Sequence, residues 1–199
     1  MDETKRRMLE LLKNKSFKQG EFTLASGKKS DFFIDCKEVT LMAQGLLYSG
    51  LIFFDFIKRW YLCGSYKVDY LVGVPLGGCT IVDATAFVCS LNKIDMNILY
   101  IRDTKKNHGT KQRIEGLKSI HKGNKVILIE DVVTTGGSSI NAIRVLHDAG
   151  LKVECVLTLI DRLEGGSENI KNKTGVYLYS IFTRNNFIKE IDSKNEVIK

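Results

Sequence analysis

The run Val126-Ile127-Leu128-Ile129-Glu130-Asp131-Val132-Val133-Thr134-Thr135-Gly136-Gly137-Ser138-Ser139 decides the fold. Four consecutive large aliphatics predict a strand buried on both faces, as in a parallel sheet. Two carboxylates, Glu130 and Asp131, follow where that strand is expected to end. Two hydroxyls, two glycines and two more hydroxyls come next. Beyond them Ile140, Ile143, Val145 and Leu146 carry an apolar stripe into a helix that Gly150 stops. The predicted unit is strand, acidic pair, small-residue loop, helix.

Each part has a chemical use. In the loop of Thr135, Gly136, Gly137 and Ser138, the glycines lack a Cβ, so backbone N–H groups can approach a phosphate closely. The helix start adds unpaired N–H groups and a positive dipole end. In open α/β sheets ligands sit at the carboxyl ends of strands, where this loop falls. Glu130 and Asp131 would repel a phosphate placed beside them. They suit sugar hydroxyls, or a magnesium ion that arrives with the ligand. A molecule with a phosphate at one end and a diol next to it, such as a ribose 5-phosphate, answers the pattern. A plain turn would account for the glycines but not for two acids directly behind four aliphatics.

The stretch resembles the 5-phosphoribosyl 1-diphosphate (PRPP) binding motif of type I phosphoribosyltransferases. The resemblance implies an α/β fold with a mostly parallel central sheet, flanked by helices and carrying a small N-terminal hood. It implies PRPP contacts from Glu130, Asp131, Val132, Val133, Thr134, Thr135, Gly136, Gly137 and Ser138, with Asp131 also catalytic. Magnesium is expected to be carried by PRPP, with no protein ligand cage for a metal.

Composition agrees with a soluble globular protein. With 199 residues, 44% hydrophobic and 27% charged, the chain fits one domain with a substantial core. We divide residues 1–199 into an N-terminal helix and hood over about 1–40 and a core over about 41–199. The five cysteines (Cys36, Cys63, Cys79, Cys89, Cys155) are odd in number and lack CxxC spacing, so buried thiols in a reducing compartment are expected. The N-terminus, MDETKRRMLELLKNK, is charged throughout and has no signal-peptide core, so a cytoplasmic location is expected. The most apolar run, residues 46–56, is too short and interrupted to span a membrane. A net charge of +7 suits an anionic ligand in a basic cleft. Nucleic-acid binding is not expected, since basic runs are mixed with acids and no recognition motif is visible.

In chain order, residues 3–14 predict an amphipathic helix with Met8, Leu11 and Leu12 on one face. Phe22-Thr23-Leu24 and Phe32-Phe33-Ile34 predict two short strands around the basic turn Ala25-Ser26-Gly27-Lys28-Lys29-Ser30-Asp31. The segment Glu21-Phe22-Thr23-Leu24-x-Ser26-Gly27-x-Lys29-Ser30 with Phe32-Phe33 resembles the hood of orotate phosphoribosyltransferases. The resemblance implies orotate contacts from Lys29 and Phe33. Many members carry a substrate-contacting lysine where this chain has Ala25, which leaves that charge to Lys28 or Lys29. Residues 41–61 predict a long apolar helix interrupted by Gly45 and Gly50.

A second strand–loop–helix unit follows. Tyr70-Leu71-Val72-Gly73-Val74 predicts a buried strand, Pro75-Leu76-Gly77-Gly78 ends it, and a helix runs from about Thr80 to Leu91. By the same resemblance, Leu76, Gly77 and Gly78 form a pyrophosphate loop with backbone donors, often with a non-proline cis bond. Some members carry a lysine in this loop; here Gly77 leaves the backbone to act alone. Asn97-Ile98-Leu99-Tyr100-Ile101 predicts a third strand, leading into a long, polar, basic loop over residues 102–116. Arg102-x-x-x-Lys106-x-His108-Gly109 resembles the catalytic loop of the orotate enzymes. The resemblance implies that Arg102, Lys106 and His108 bind PRPP, that Lys106 and His108 are catalytic, and that the loop reaches the neighbouring site of a homodimer. Where many members have lysine this chain has Asp103, so no role is carried to it; Lys105 and Lys111 read as solvated.

Residues 153–160 predict another strand, ending Leu159-Ile160-Asp161-Arg162. The resemblance gives Arg162, with Thr134, the binding of orotate. A planar guanidinium suits a carboxylate better than an ammonium does. Glu164-Gly165-Gly166-Ser167 reads as a loop, residues 176–182 as a final strand, and Phe187 to Ile191 as a short helix with a frayed tail. The implied reaction is orotate plus PRPP giving orotidine 5′-monophosphate and pyrophosphate, in pyrimidine biosynthesis. A purine phosphoribosyltransferase would share the central motif but should lack the hood, the Arg102–His108 spacing and the Asp161-Arg162 strand end. A non-catalytic PRPP sensor that binds nucleic acid should add a binding domain or a dedicated basic face.

Overall fold

The computed structural model describes residues 1–23, 29–62, 68–102, 113–116 and 120–188. A helix, α1 (Glu3–Leu11), is capped by Asp2, whose carboxylate accepts the Lys5 N–H at 2.9 Å. It closes in a π-helical turn (Leu12–Ser16). Met8, Leu9 and Leu12 are buried, whereas Leu11 is only partly so; the sequence had placed Leu11 on the apolar face. The antiparallel hairpin β1 (Phe17–Thr23) and β2 (Lys29–Ile34) comes next, longer on its first strand than expected. A short α2 (Lys37–Thr40) leads into α3 (Ala43–Leu62).

The remaining elements alternate. They are β3 (Tyr70–Gly73), α4 (Gly77–Leu91), β4 (Asn97–Ile101), β5 (Ile114–Glu115), β6 (Lys125–Val133), α5 (Gly137–Asp148), β7 (Lys152–Asp161), α6 (Gly166–Thr174) and β8 (Tyr177–Thr183). The six-stranded sheet has the order β5-β4-β3-β6-β7-β8 and is parallel except where β5 pairs antiparallel with β4. This is the mostly parallel α/β sheet expected from the sequence.

The aliphatic run of β6 explains the layering. Ile127 and Ile129 join a core with α1, α3, α4 and the hairpin, while Val126 and Leu128 join a second core with α5 and α6. Alternate side chains of one strand thus feed both layers. Residues 126–129 are fully buried.

Two expectations need correction. Gly45 and Gly50 do not interrupt α3. A Cβ on Gly50 would stand 2.7 Å from the Ala84 carbonyl oxygen, so this glycine lets α3 and α4 cross closely. The strand of the central motif also does not end before the acids. It continues to Val133, because β7 keeps pairing with it through Glu130↔Thr158, Val132↔Ile160 and Val133↔Asp161. Backbone pairing is indifferent to the polarity of the side chains that stand off the sheet.

Among the described cysteines, Cys36, Cys89 and Cys155 are buried free thiols and Cys79 is partly buried. No described helix is long and apolar enough to cross a membrane.

Candidate active site

Because β6 runs through the acidic pair, strand alternation sends the two carboxyls to opposite faces. Glu130 turns toward the first turn of α5, where the Ser139 hydroxyl donates to its Oε1 at 2.7 Å. Both side chains are buried. Burial pushes the Glu130 carboxyl up to about 8, against the Ser139 hydrogen bond that lowers it and with a further rise from the Asp131 charge. Asp131 turns toward α2 and α4 and is partly exposed. Its carboxyl is raised above the ordinary value, by burial first; its own Val132 N–H, donating at 2.9 Å, and the Lys37 ammonium act the other way. Lys37 is itself held by Asp35 at 2.7 Å. The Cys36 thiol donates to the Asp131 carbonyl at 3.8 Å and anchors this corner.

Glu130 yields a stability prediction with a definite sign. The folded state holds its proton up to pH of about 8, whereas an unfolded glutamate releases it near 4.5. Between those values the folded state binds more protons, so this group makes stability fall as pH rises. The window is worth on the order of 5 kcal/mol. Urea melts of Glu130→Gln beside the parent at pH 5, 7 and 9 should show the variant gaining on the parent as pH rises. A pH-independent difference would show that Glu130 is ionised throughout.

The small-residue loop after β6 has a floor made by α6. Gly136 lies at φ +80°, a left-handed conformation open to glycine, and its carbonyl accepts the Ile140 N–H at 2.9 Å to start α5. Asn169 Nδ2 donates to the Thr135 carbonyl at 3.0 Å. Gly166 packs so closely under Thr134 that a Cβ there would lie 2.5 Å from its carbonyl oxygen. On the other side Gly137 and Ser138 are exposed, and a Cβ on Gly137 would meet nothing within 4 Å. The loop is therefore pinned from below and open above, as an anion cradle at a helix start must be. Asn169 and Ser139 were not among the expected site residues. Ser139 lies one residue beyond the expected loop, and nothing in the sequence marks Asn169 as a loop support.

The second loop has the cis peptide Pro75–Leu76 that the resemblance implies. Gly78 N–H donates to Val74 O at 3.0 Å and Cys79 N–H to Leu76 O at 3.1 Å, so the Gly78 donor is engaged within the loop. Leu76 is exposed. Gly77 touches Asp131: a Cβ there would lie 1.9 Å from Asp131 Oδ2 and 2.1 Å from its Cγ. The two βα loops meet at that contact.

Arg102 follows β4. Its N–H donates to the Arg113 carbonyl at 2.8 Å and its guanidinium pairs with Glu115 at 3.0 Å, which closes the base of the long loop against β5. Lys106 and His108 lie outside the described residues, as do Ala25, Lys28, Asp103, Lys105 and Lys111.

Arg162 leaves the end of β7 beside the loop: its N–H donates to Val133 O at 2.9 Å, which places Thr134 next to it. Its guanidinium is only 3% exposed, lies 4.4 Å from the Phe32 ring centre, and pairs with Glu164 Oε1 at 2.9 Å. Arg184 lies 4.8 Å from the same ring centre. The hairpin residue that meets Arg162 is therefore Phe32. Phe33 points off the other face, packs on Phe22 at 5.6 Å and is 37% exposed; Lys29 is exposed at the start of β2. The parity was readable, since Phe32 and Ile34 are apolar on one face and both are buried.

Comparison with known proteins places this arrangement. A family model described as phosphoribosyl transferase domain matches residues 55–191. The chain is 39% identical to the orotate phosphoribosyltransferase of Sorangium cellulosum over 92% of this chain and 93% of that one. It is 35% identical to the orotate phosphoribosyltransferase of Aquifex aeolicus over 88% and 93% of the two chains. The crystal structure of Mycobacterium tuberculosis orotate phosphoribosyltransferase superposes with a TM-score of 0.74 at 25% identity, covering 93% of this chain and 99% of that one. Two βα loops meeting at an acidic strand end, and relatives alike over nearly their whole length, lead to one assignment: the chain belongs to the orotate phosphoribosyltransferase family, on the type I phosphoribosyltransferase fold.

Proposed function

We propose that this protein transfers the 5-phosphoribosyl group from PRPP to orotate, giving orotidine 5′-monophosphate and pyrophosphate in pyrimidine biosynthesis. The observation that carries the reading is Arg162: a buried guanidinium at a strand end, backed by the hairpin's Phe32 and adjoining Thr134 of the phosphate-type loop. A carboxylate-bearing planar base suits that corner.

In this reading the loop of Thr134, Thr135, Gly136, Gly137 and Ser138 anchors the 5-phosphate with backbone donors at the start of α5. Asp131, partly exposed at the strand end, stands by the ribose and favours the positive charge that the ring gains as the bond at C1 breaks. Glu130, buried and bonded to Ser139, sets the strand end from the other face. Leu76 and Gly77 lie where the diphosphate would pass. Arg102, with Lys106 and His108, would neutralise the leaving pyrophosphate. Magnesium would enter as the PRPP complex and offset diphosphate charge; the hard oxygens of Asp131 suit it. Catalysis is then positioning and charge stabilisation. A homodimer in which the 102–116 loop serves the neighbouring site completes the proposal.

Arg162→Ala should raise the orotate KM by about 10- to 100-fold, the loss of a charge-assisted contact. The PRPP KM should stay within about twofold. Equal rises for both substrates would remove the carboxylate role. The function itself is tested by chromatography of a reaction holding PRPP, magnesium and orotate: orotidine 5′-monophosphate is expected, and no new nucleotide would refute it.

A further inference from the structure

The turn after β7 is built to return a carboxylate onto Arg162. Asp161 Oδ1 accepts the Leu163 N–H at 2.8 Å. Leu163 takes φ +57°, a left-handed conformation that a leucine adopts only when its surroundings impose it. Gly165 at φ +84° then starts α6. The outcome is that Glu164, two residues on, lies 2.9 Å from the Arg162 guanidinium. The Arg162 side chain is 3% exposed and that of Glu164 19%. Arg162 Nη2 also makes a long 3.4 Å contact with the Phe32 carbonyl.

We propose that Glu164 is an internal competitor that sets the affinity for the base: a carboxylate that occupies Arg162 in the empty site and is displaced by the carboxylate that orotate brings. This rests on the reading that Arg162 meets the orotate carboxylate. A substrate carboxylate can take over the charge-assisted bond that Glu164 gives up, so the exchange is nearly balanced. A base without a carboxylate would leave Arg162 with Glu164, because stranding a buried guanidinium unpaired is costly. The pair also restrains orotate affinity, because every binding event must displace Glu164.

Glu164→Gln tests this, since the amide keeps the shape and a hydrogen-bond acceptor but loses the charge. The orotate KM should fall about fivefold, as one competing charge-assisted bond weakens, with the PRPP KM unchanged. Titration calorimetry of the whole protein should show orotidine 5′-monophosphate binding about fivefold tighter, and uridine 5′-monophosphate, which lacks the carboxylate, unchanged. A higher or unchanged orotate KM would overturn the proposal, the higher value making Glu164 a brace for Arg162. Equal tightening of both nucleotides would overturn it too. Arg162→Ala, run alongside, separates the two levels. If it raises the orotate KM while Glu164→Gln fails to lower it, only the Glu164 inference falls. If it leaves the orotate KM unchanged, the carboxylate reading of Arg162 falls as well. Thermal melts confirm that each variant is folded.

Discussion

Asp131→Asn should lower kcat by about 10²- to 10³-fold, the usual cost of removing a group aimed at transition-state charge. The fold should survive and even gain. The Asp131 carboxyl is raised by burial, so a neutral amide of the same shape relieves a desolvation cost. What the amide cannot supply is negative charge beside a ribose ring that becomes positive as its C1 bond breaks. The Cys36 thiol donates to the Asp131 backbone carbonyl and the Val132 N–H donates to its carboxylate, so the position is fixed before any ligand arrives. Steady-state turnover beside urea melts checks both halves. Turnover within twofold of the parent would take Asp131 out of the chemistry.

The second large effect is expected from a single methyl group. Gly77→Ala places a Cβ 1.9 Å from Asp131 Oδ2 and 2.1 Å from its Cγ. No pair of atoms tolerates that separation, so the carboxyl must swing away or the first turn of α4 must back off. Displacements on the order of 1 Å cost about 10²-fold in rate. Alanine otherwise suits a helix better than glycine, so the fold should be kept. If the loss acts through Asp131, the double variant Gly77→Ala with Asp131→Asn should be no worse than Asp131→Asn alone. Multiplying losses in kcat/KM would mean that Gly77 acts by another route, such as its backbone donor. The same contact shows that this Asp131 position and any side chain at residue 77 exclude each other. The glycine is tied to where the acid sits.

Much of this was legible in the sequence because it depends on side-chain polarity. Four aliphatics in β6 have to be buried on both faces, and that requirement alone calls for two helical layers and a parallel sheet. The loop with its glycines and the arginine at the end of β7 also stand where the sequence put them, whereas the cis bond before Leu76 was implied by the family resemblance and not by the residues. What was not legible depends on partners brought from far away in the chain. The acids read as a pair beyond the strand, yet β7 pairs past them, so Glu130 and Asp131 separate to opposite faces. Gly45 and Gly50 read as breaks; α3 is continuous, and Gly50 marks where α4 crosses. Asn169 carried no local signal, because it acts on a loop that only the fold brings within reach; Glu164 is local to Arg162, but the left-handed turn at Leu163 that returns it has no mark in the sequence. Phe32 was the exception: strand parity could have chosen it over Phe33.

The roles given to Arg162 and the hairpin depend on the identity of the acceptor base. The most direct test follows base consumption by absorbance with PRPP and magnesium, offering orotate, uracil, adenine, hypoxanthine and guanine in separate reactions with Asp131→Asn as control. Loss of orotate only is expected, dependent on PRPP and strongly reduced in the variant. Turnover of a purine in preference to orotate would keep the fold and contradict the roles given to Arg162, Phe32 and Glu164.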